Sequence, residues 1–269
     1  MSSLLLLQQS GFYRYLFQWT SIYLSVYLIL RWYLITKNIN IKRFLYVWGF
    51  CTRAFSIIHA FSIIRMSFRL MSDYGLIRIW NYNFHIFYTS GVKQFASMNA
   101  FMQAYLMVDA TFNILESFLS EEDDHKREAR RLNVTHHLIG AICMYAFIIF
   151  QEVQFNSLYF SMTEVSTIPL HLGWAIRELR LNEKRYFKHL YIFFGVLAWT
   201  LFLCVRIIGS IFLWIYIITN IQSIMHMHLV VGIMGGIGGN LALTILNVTW
   251  FIKLTNMLLD GLKSKKKDI

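Results

Sequence analysis

Nine side chains capable of proton transfer or of holding a polar group lie within otherwise apolar stretches of the chain: Arg53, His59, Asp109, Glu116, His136, His137, Glu164, His171 and Arg206. A charge in hydrocarbon is costly, so such residues face a bundle interior or cavity and find partners there. Their spacing agrees. Arg53, Ser56 and His59 recur every three residues and share one helical face. Tyr105, Asp109, Asn113 and Glu116 form a polar stripe at i, i+4, i+8 and i+11, and Ser157, Ser161, Glu164, Thr167 and His171 repeat the pattern further on.

At a rise of about 1.5 Å per residue in helices of alternating direction, these side chains sort by depth. Arg53, Asp109, Glu164 and Arg206 fall near the middle of a bilayer, two positive and two negative, a balance that suggests mutual pairing. Glu116, His136, His137 and His171 fall nearer one face. Three imidazoles and a carboxylate suit proton transfer or metal binding. Adjacent helical positions diverge by about 100°, however, so His136 and His137 do not readily share one ion, and no metal site is expected. In an acyl transfer, His136 or His137 would act as base, oriented by Glu164 or Asp109. The structural alternative is that the mid-plane ions only fix which helices are neighbours.

The elements that must position these groups follow from composition. The chain has 269 residues, 57% hydrophobic and 14% charged, with mean hydropathy +0.49. One soluble core of that length does not hide so much apolar surface. A spanning helix needs about 20 mainly apolar residues, and segments fit near 15–35, 44–64, 95–118, 133–150, 154–176, 191–217 and 229–252. The expectation is an all-α polytopic membrane protein of seven transmembrane helices. The fourth segment is short and the sixth long, which allows tilt or a break. Gly232, Gly235, Gly236, Gly238 and Gly239 give the last helix a small-residue packing surface. Cys51, Cys143 and Cys204 all fall in apolar stretches and read as buried thiols.

Formal charge is +11, but the basic residues stand in short clusters between the apolar segments, which argues for membrane orientation and against nucleic acid. With seven spans, one side holds five Lys and Arg residues and the other sixteen. The N-terminus is therefore expected in the lumen and the C-terminus in the cytosol. The apolar stretch Met1 to Gln8 lacks a secretory cleavage pattern and is expected to be retained. The final residues Lys266, Lys267, Asp268 and Ile269 match a dilysine retrieval signal, favouring the endoplasmic reticulum, with the mitochondrial inner membrane as the alternative. The charged run from Glu121 to Arg131 reads as a cytosolic loop whose opposite-sign halves pair along a short helix. Sequons at Asn133 and Asn247 lie at the cytosolic edge and inside a helix, where they read as incidental.

Taken in order, Ser56 to Ala60, Tyr105 to Asp109, His136–His137, Glu164 to Pro169 and Arg206 resemble the motifs of the TRAM/LAG1/CLN8 (TLC) domain family. The resemblance covers roughly residues 45–250. It implies a six-helix barrel enclosing a lipid-accessible cavity, with roles in lipid synthesis, sensing or transport. The chain then divides into residues 1–43 with the first transmembrane helix, a TLC-like domain over 44–254, and a basic tail over 255–269. The ceramide synthases of this family carry an aspartate pair on the helix after the double histidine; here that helix carries Glu164 and His171 without such aspartates. The chain is closer to the TLC-domain-containing branch, linked to phospholipid composition and membrane fluidity.

Three functions follow as expectations. The first is a protein that binds or handles membrane lipids in its bundle, with the polar residues facing a head group and with no cofactor. The second is a non-catalytic subunit of a large membrane complex, docking protein partners through the aromatic loop Tyr82 to Tyr88. The third is a ceramide-synthase-like acyltransferase using acyl-CoA. A transporter is disfavoured, since no internal repeat or paired broken helices appear.

Overall fold

The structure, a computed structural model, describes residues 12–36, 41–75, 92–119, 124–149, 154–225 and 237–264. Every regular element among them is helical, and seven long rods account for nearly all of it. They are α1 (Phe12–Thr36), α2 (Ile41–Tyr74), α3 (Val92–Leu119), α4 (Asp124–Ile149), α5 (residues 154–178), α6 (residues 185–219) and α7 (Gly238–Ser264). Long rods are what this sequence dictates, because apolar runs with one proline in the whole chain offer few places to stop. Where α2 does stop, Gly75 takes φ 76° and returns its N–H to Met71 O at 2.9 Å, a left-handed cap that glycine adopts without steric cost.

Six rods close into a ring in the order α2, α3, α4, α7, α6, α5 and back to α2, each touching the next. The expected six-helix barrel is this ring. Helix α1 stands outside it, packed along α3. Side-chain pairs give the directions. Ser56, His59 and Ser67 of α2 meet Tyr105, Met102 and Met98 of α3 in reverse order, so those two run antiparallel. Phe12 packs on Ala96 and Ala100, and Tyr23 on Tyr105, so α1 and α3 run parallel. Thr244 and Thr255 of α7 likewise meet Trp214 and Trp199 of α6 in reverse order. Consecutive rods thus alternate, which places the starts of α3, α5 and α7 at one end of the ring.

The molecule is built inside out. Its outer surface is apolar, with Phe17 at 74% and Ile218 at 65% exposure, whereas Asn99, His59 and Ser157 are fully buried. Lipid is the solvent that such a surface suits. Among the described residues, Gly49–Tyr74, Arg185–Thr219 and Gly238–Leu259 are each long and apolar enough to cross a membrane by themselves, and only 11% of the last is buried.

Two rods are broken internally. Helix α5 comprises Gln154–Thr163, a 3₁₀ turn at Glu164–Ser166, and Thr167–Glu178. Pro169 accounts for the turn: it has no N–H for Val165 O, and its ring crowds that carbonyl. Helix α6 comprises Arg185–Leu201, a π segment at Phe202–Ile208, and Gly209–Thr219. There the Gly209 N–H reaches back to Cys204 O, one residue beyond the α pattern.

Several local expectations are revised. The charged run read as a loop is helical from Asp124 onward, since an aspartate at the start followed by good helix formers extends α4 into the polar zone. Helix α2 has 34 residues, about 50 Å at the α rise, and so outruns the hydrocarbon. Helix α7 continues to Ser264, through the start of the expected tail. Cys143 is buried as expected, but Cys204 is exposed, as an apolar residue can be where the exterior is lipid. Met1 to Gln8, Tyr82 to Tyr88, Gly232, Gly235, Gly236 and Lys266 to Ile269 lie outside the described residues.

Candidate functional site

The polar faces read from the sequence point into the ring. Ser56, His59, Asp109, His137, Ser157, Ser161, Glu164, Thr167, Arg206 and Ser210 are all buried. Arg53 and His171 are half-buried, and Glu116 lies on α3 with its side chain outside the described set.

Arg206 organises the α5–α6–α7 side. Its Nε donates to Ser166 Oγ at 2.9 Å, its Nη2 to Thr167 Oγ1 at 3.3 Å and its Nη1 to Asn247 Oδ1 at 3.5 Å. Nη2 also stands 4.0 Å from Glu164 Oε1. The two broken backbones meet here: the 3₁₀ turn presents Glu164 and Ser166 to an arginine carried by the π segment. The π segment leaves Arg206 O for the Tyr159 hydroxyl, which donates to it at 3.2 Å. That ring fits because residue 209 is glycine; a Cβ there would stand 2.9 Å from Tyr159 Cε2.

Asp109 organises the α3–α4 side. Its Oδ2 accepts from Asn113 Nδ2 at 2.8 Å and from Asn133 Nδ2 at 3.4 Å. His137 Nδ1 lies 2.8 Å from the same oxygen but off the line of its N–H, so the contact is electrostatic rather than an aligned hydrogen bond. The mid-plane four are therefore not held by one another alone. Arg206 meets Glu164, while Asp109 takes its partners from α4, including a member of the expected histidine layer. The two layers form one connected interior, and His171 lies in electrostatic range of Arg53, Asp109, His137 and Arg206.

On the α2 side His59 is locked among aromatic rings. It shares a 2.9 Å hydrogen bond between Nδ1 and Tyr23 OH, places Nε2 3.2 Å from Met102 Sδ, and stacks on Tyr105 at 3.9 Å and Phe101 at 4.7 Å between centroids. Tyr105 in turn bonds Ser56 at 2.8 Å. Arg53 puts its guanidinium 3.7 Å over the Trp174 ring and donates to Gly49 O at 3.0 Å. These arrangements join α1, α2, α3 and α5.

His136 and His137 diverge as adjacent helical positions must. His137 turns to Asp109, whereas His136 lines a small cavity together with Thr163, Glu164 and Asn247. Met102, Leu106, Gly140, Met144, Phe160 and Leu243 complete its wall. Its volume is about 20 Å³, room for a water-sized group. His136 Nδ1 is buried and has no hydrogen-bond partner among the described residues. The cavity is thus lined by an imidazole with one unpartnered nitrogen, by a carboxylate that lies 4.0 Å from Arg206, and by the Asn247 and Thr163 side chains. Such a set has the hydrogen-bonding chemistry to match a hydroxyl or amine, and it also has the parts of a general base. Among the described residues no group of three or more His, Cys, Asp and Glu stands close enough to hold a metal ion.

Sequence reasoning missed Asn247, set aside as an incidental sequon, although a carboxamide within an apolar helix is itself a signal for an inward-facing partner. Asn133, set aside likewise, is a partner of Asp109. Tyr23 was missed because tyrosine is common in the chain and carries no charge to mark it.

No curated protein matches the chain. A family model for the TLC domain matches residues 49–256, running from α2 into α7 and so spanning the six-helix ring without α1. The closed ring, its lipid-compatible exterior and this match over well over half of the sequence agree: the chain belongs to the TRAM/LAG1/CLN8 (TLC) domain family of membrane proteins.

Proposed function

We propose that this protein binds a membrane lipid within its ring, with the lipid's polar group at the His136–Glu164–Asn247 cavity, and that it contributes in this way to membrane lipid composition. The observation that carries the reading is one buried, water-sized cavity onto which both His136, with a free nitrogen, and Glu164 open. In a membrane-exposed bundle, the hydroxyl or amine of a lipid head satisfies such groups, and the lipid's chains pass between rods into the bilayer. On this reading the chain is nearer the TLC-domain-containing branch than the ceramide synthases, a reading supported by Glu164 and His171 standing on α5 without paired aspartates.

Native mass spectrometry of the purified protein, followed by lipid extraction, tests this. A stoichiometric lipid is expected, and His136→Leu and Glu164→Gln are each expected to reduce its occupancy. A wild-type protein free of lipid, or variants with undiminished occupancy, would sink the proposal. The free His136 nitrogen also favours a second reading, acyl transfer from acyl-CoA to an amine with His136 as base. Incubation with acyl-CoA and amine acceptors decides it: no product, or product unchanged by His136→Ala, ends that reading.

Orientation is part of the proposal. The start of α4, with Arg130 and Arg131, and the turn from Arg177 to Lys188 stand at the same end of the ring, and we place that end in the cytosol because basic loops are retained there. Cysteines introduced at Lys184 and at Gly75 are expected to label from the cytosolic and the opposite side respectively.

A further inference from the structure

Toward the end of the ring where α3, α5 and α7 begin lies a second polar layer of different chemistry. It consists of Asn99 and Gln103 on α3, Asn156 and Ser157 on α5, and Asn240 on α7, each between 0% and 5% exposed. None carries a charge. Their placement follows the cavity wall: Asn99, Asn156 and Asn240 each precede by seven residues a residue lining the His136 cavity, namely Leu106, Thr163 and Asn247. Seven residues are two helical turns, so each carboxamide shares its helix face with a cavity-lining side chain, about 10 Å further along the axis.

Part of this layer is internally satisfied. The Ser157 hydroxyl donates to Asn99 Oδ1 and also faces Met144 Sδ at 3.8 Å, and Asn99 Nδ2 donates to Phe95 O at 3.0 Å. Asn156 is different: it is fully buried, and neither Nδ2 nor Oδ1 has a hydrogen-bond partner among the described residues. Gln103 Oε1 is in the same position. A buried carboxamide without partners is costly, and far from water the cost is not relieved by solvent. Asn156 offers one donor group and one acceptor on the ring's inner side, and such a pair recognises an uncharged group that both gives and takes a hydrogen bond. The geometry points to a second binding site, centred on Asn156, for a neutral hydroxyl or amide group. Water and the hydroxyl or amide of a lipid share that chemistry. The site is separate from the His136–Glu164 cavity and does not depend on a lipid being held there.

The two sources are separated by comparing full-length wild type with Asn156→Leu and Asn156→Gln in nanodiscs. If a lipid supplies the group, native mass spectrometry shows a hydroxyl- or amide-bearing lipid whose affinity falls at least about fivefold in Asn156→Leu, the loss of one hydrogen bond, and recovers in Asn156→Gln. If water supplies it, hydroxyl-radical footprinting oxidises Met144 in wild type and several-fold less in Asn156→Leu. Gln103→Met gives the same readouts should Asn156→Leu fail to fold. Met144 also lines the His136 cavity, so only oxidation that falls in Asn156→Leu reports this site; such oxidation in a lipid-free protein supports the site while counting against the lipid-binding function. Lipid retention and Met144 oxidation both unchanged in the folded variants would overturn the inference, whatever happens to thermal stability.

Discussion

The two halves of the ring hold their buried polar groups by different means. On the α1–α2–α3 side, regular helices bring Tyr23, Ser56, His59 and Tyr105 together, and neutral hydrogen bonds with stacked rings do the joining. On the α5–α6–α7 side, a charged guanidinium is held by groups that a 3₁₀ turn presents, and it rides on a π segment. The first arrangement tolerates the loss of any one contact, because the stacked surfaces remain. The second does not, because Arg206 and Glu164 are both charged, both buried, and positioned by irregular backbone. The cavity lies between the two, with Met102, Leu106, His136, Gly140 and Met144 from α3 and α4 facing Thr163, Glu164 and Asn247 from the second side.

That contrast breaks if the halves respond alike to substitution. The largest effect is expected for Arg206→Leu, which leaves Glu164 buried without its cation; the cost is about 3–5 kcal/mol, read as unfolding free energy by steric trapping in bicelles. Arg206→Lys keeps the charge but not the three-way fork and should fall between the two. A stability for Arg206→Leu equal to wild type would mean that the charge pair carries no energy.

Gly209→Ala comes next. The new Cβ must displace the buried Tyr159 ring and with it the bond to Arg206 O, costing about 1–3 kcal/mol. Gly209→Ala combined with Tyr159→Phe tests the cause: if the hydroxyl is already lost, the remaining penalty is steric alone, and the two changes add to less than their sum. Full additivity would show that the glycine matters for another reason.

On the regular side, Tyr23→Phe removes one hydrogen bond to His59 while keeping the ring contacts, for about 1 kcal/mol. A loss as large as that of Arg206→Leu would erase the distinction between the halves. Smallest of all is Lys253→Ala. Its 2.9 Å pair with Glu128 joins α7 to α4, but Glu128 is exposed and Lys253 only half-buried, and such pairs contribute about 0–1 kcal/mol. A salt titration of the melting temperature should separate wild type from this variant only slightly.

Much of the architecture was legible beforehand because it rests on local quantities. Hydropathy over about 20 residues marks a rod, and the recurrence of Ser157, Ser161, Glu164, Thr167 and His171 marks the face that turns inward. The breaks in α5 and α6 were harder to read. Pro169 was visible and explains the 3₁₀ turn, but nothing in Phe202–Ile208 announces a π segment, whose extra residue is stabilised by Tyr159 across the interface. The outward start of α4 was hidden by its charges, which are as compatible with a solvated helix as with a loop.

The sequence by itself determined seven apolar rods, the inward-facing stripes and the height of each charge along its own helix. Height follows from rise per residue, which is a property of one helix. Which helices stand side by side is decided only when the ring closes, and partner choice follows from that. Tertiary structure alone therefore assigned Asp109 to Asn133 and His137, Arg206 to Ser166, Thr167 and Asn247, and His136 to the cavity while its neighbour turned away. A hydrogen bond acts within about 3 Å, and no periodicity along a single chain segment specifies a distance of that size between two others.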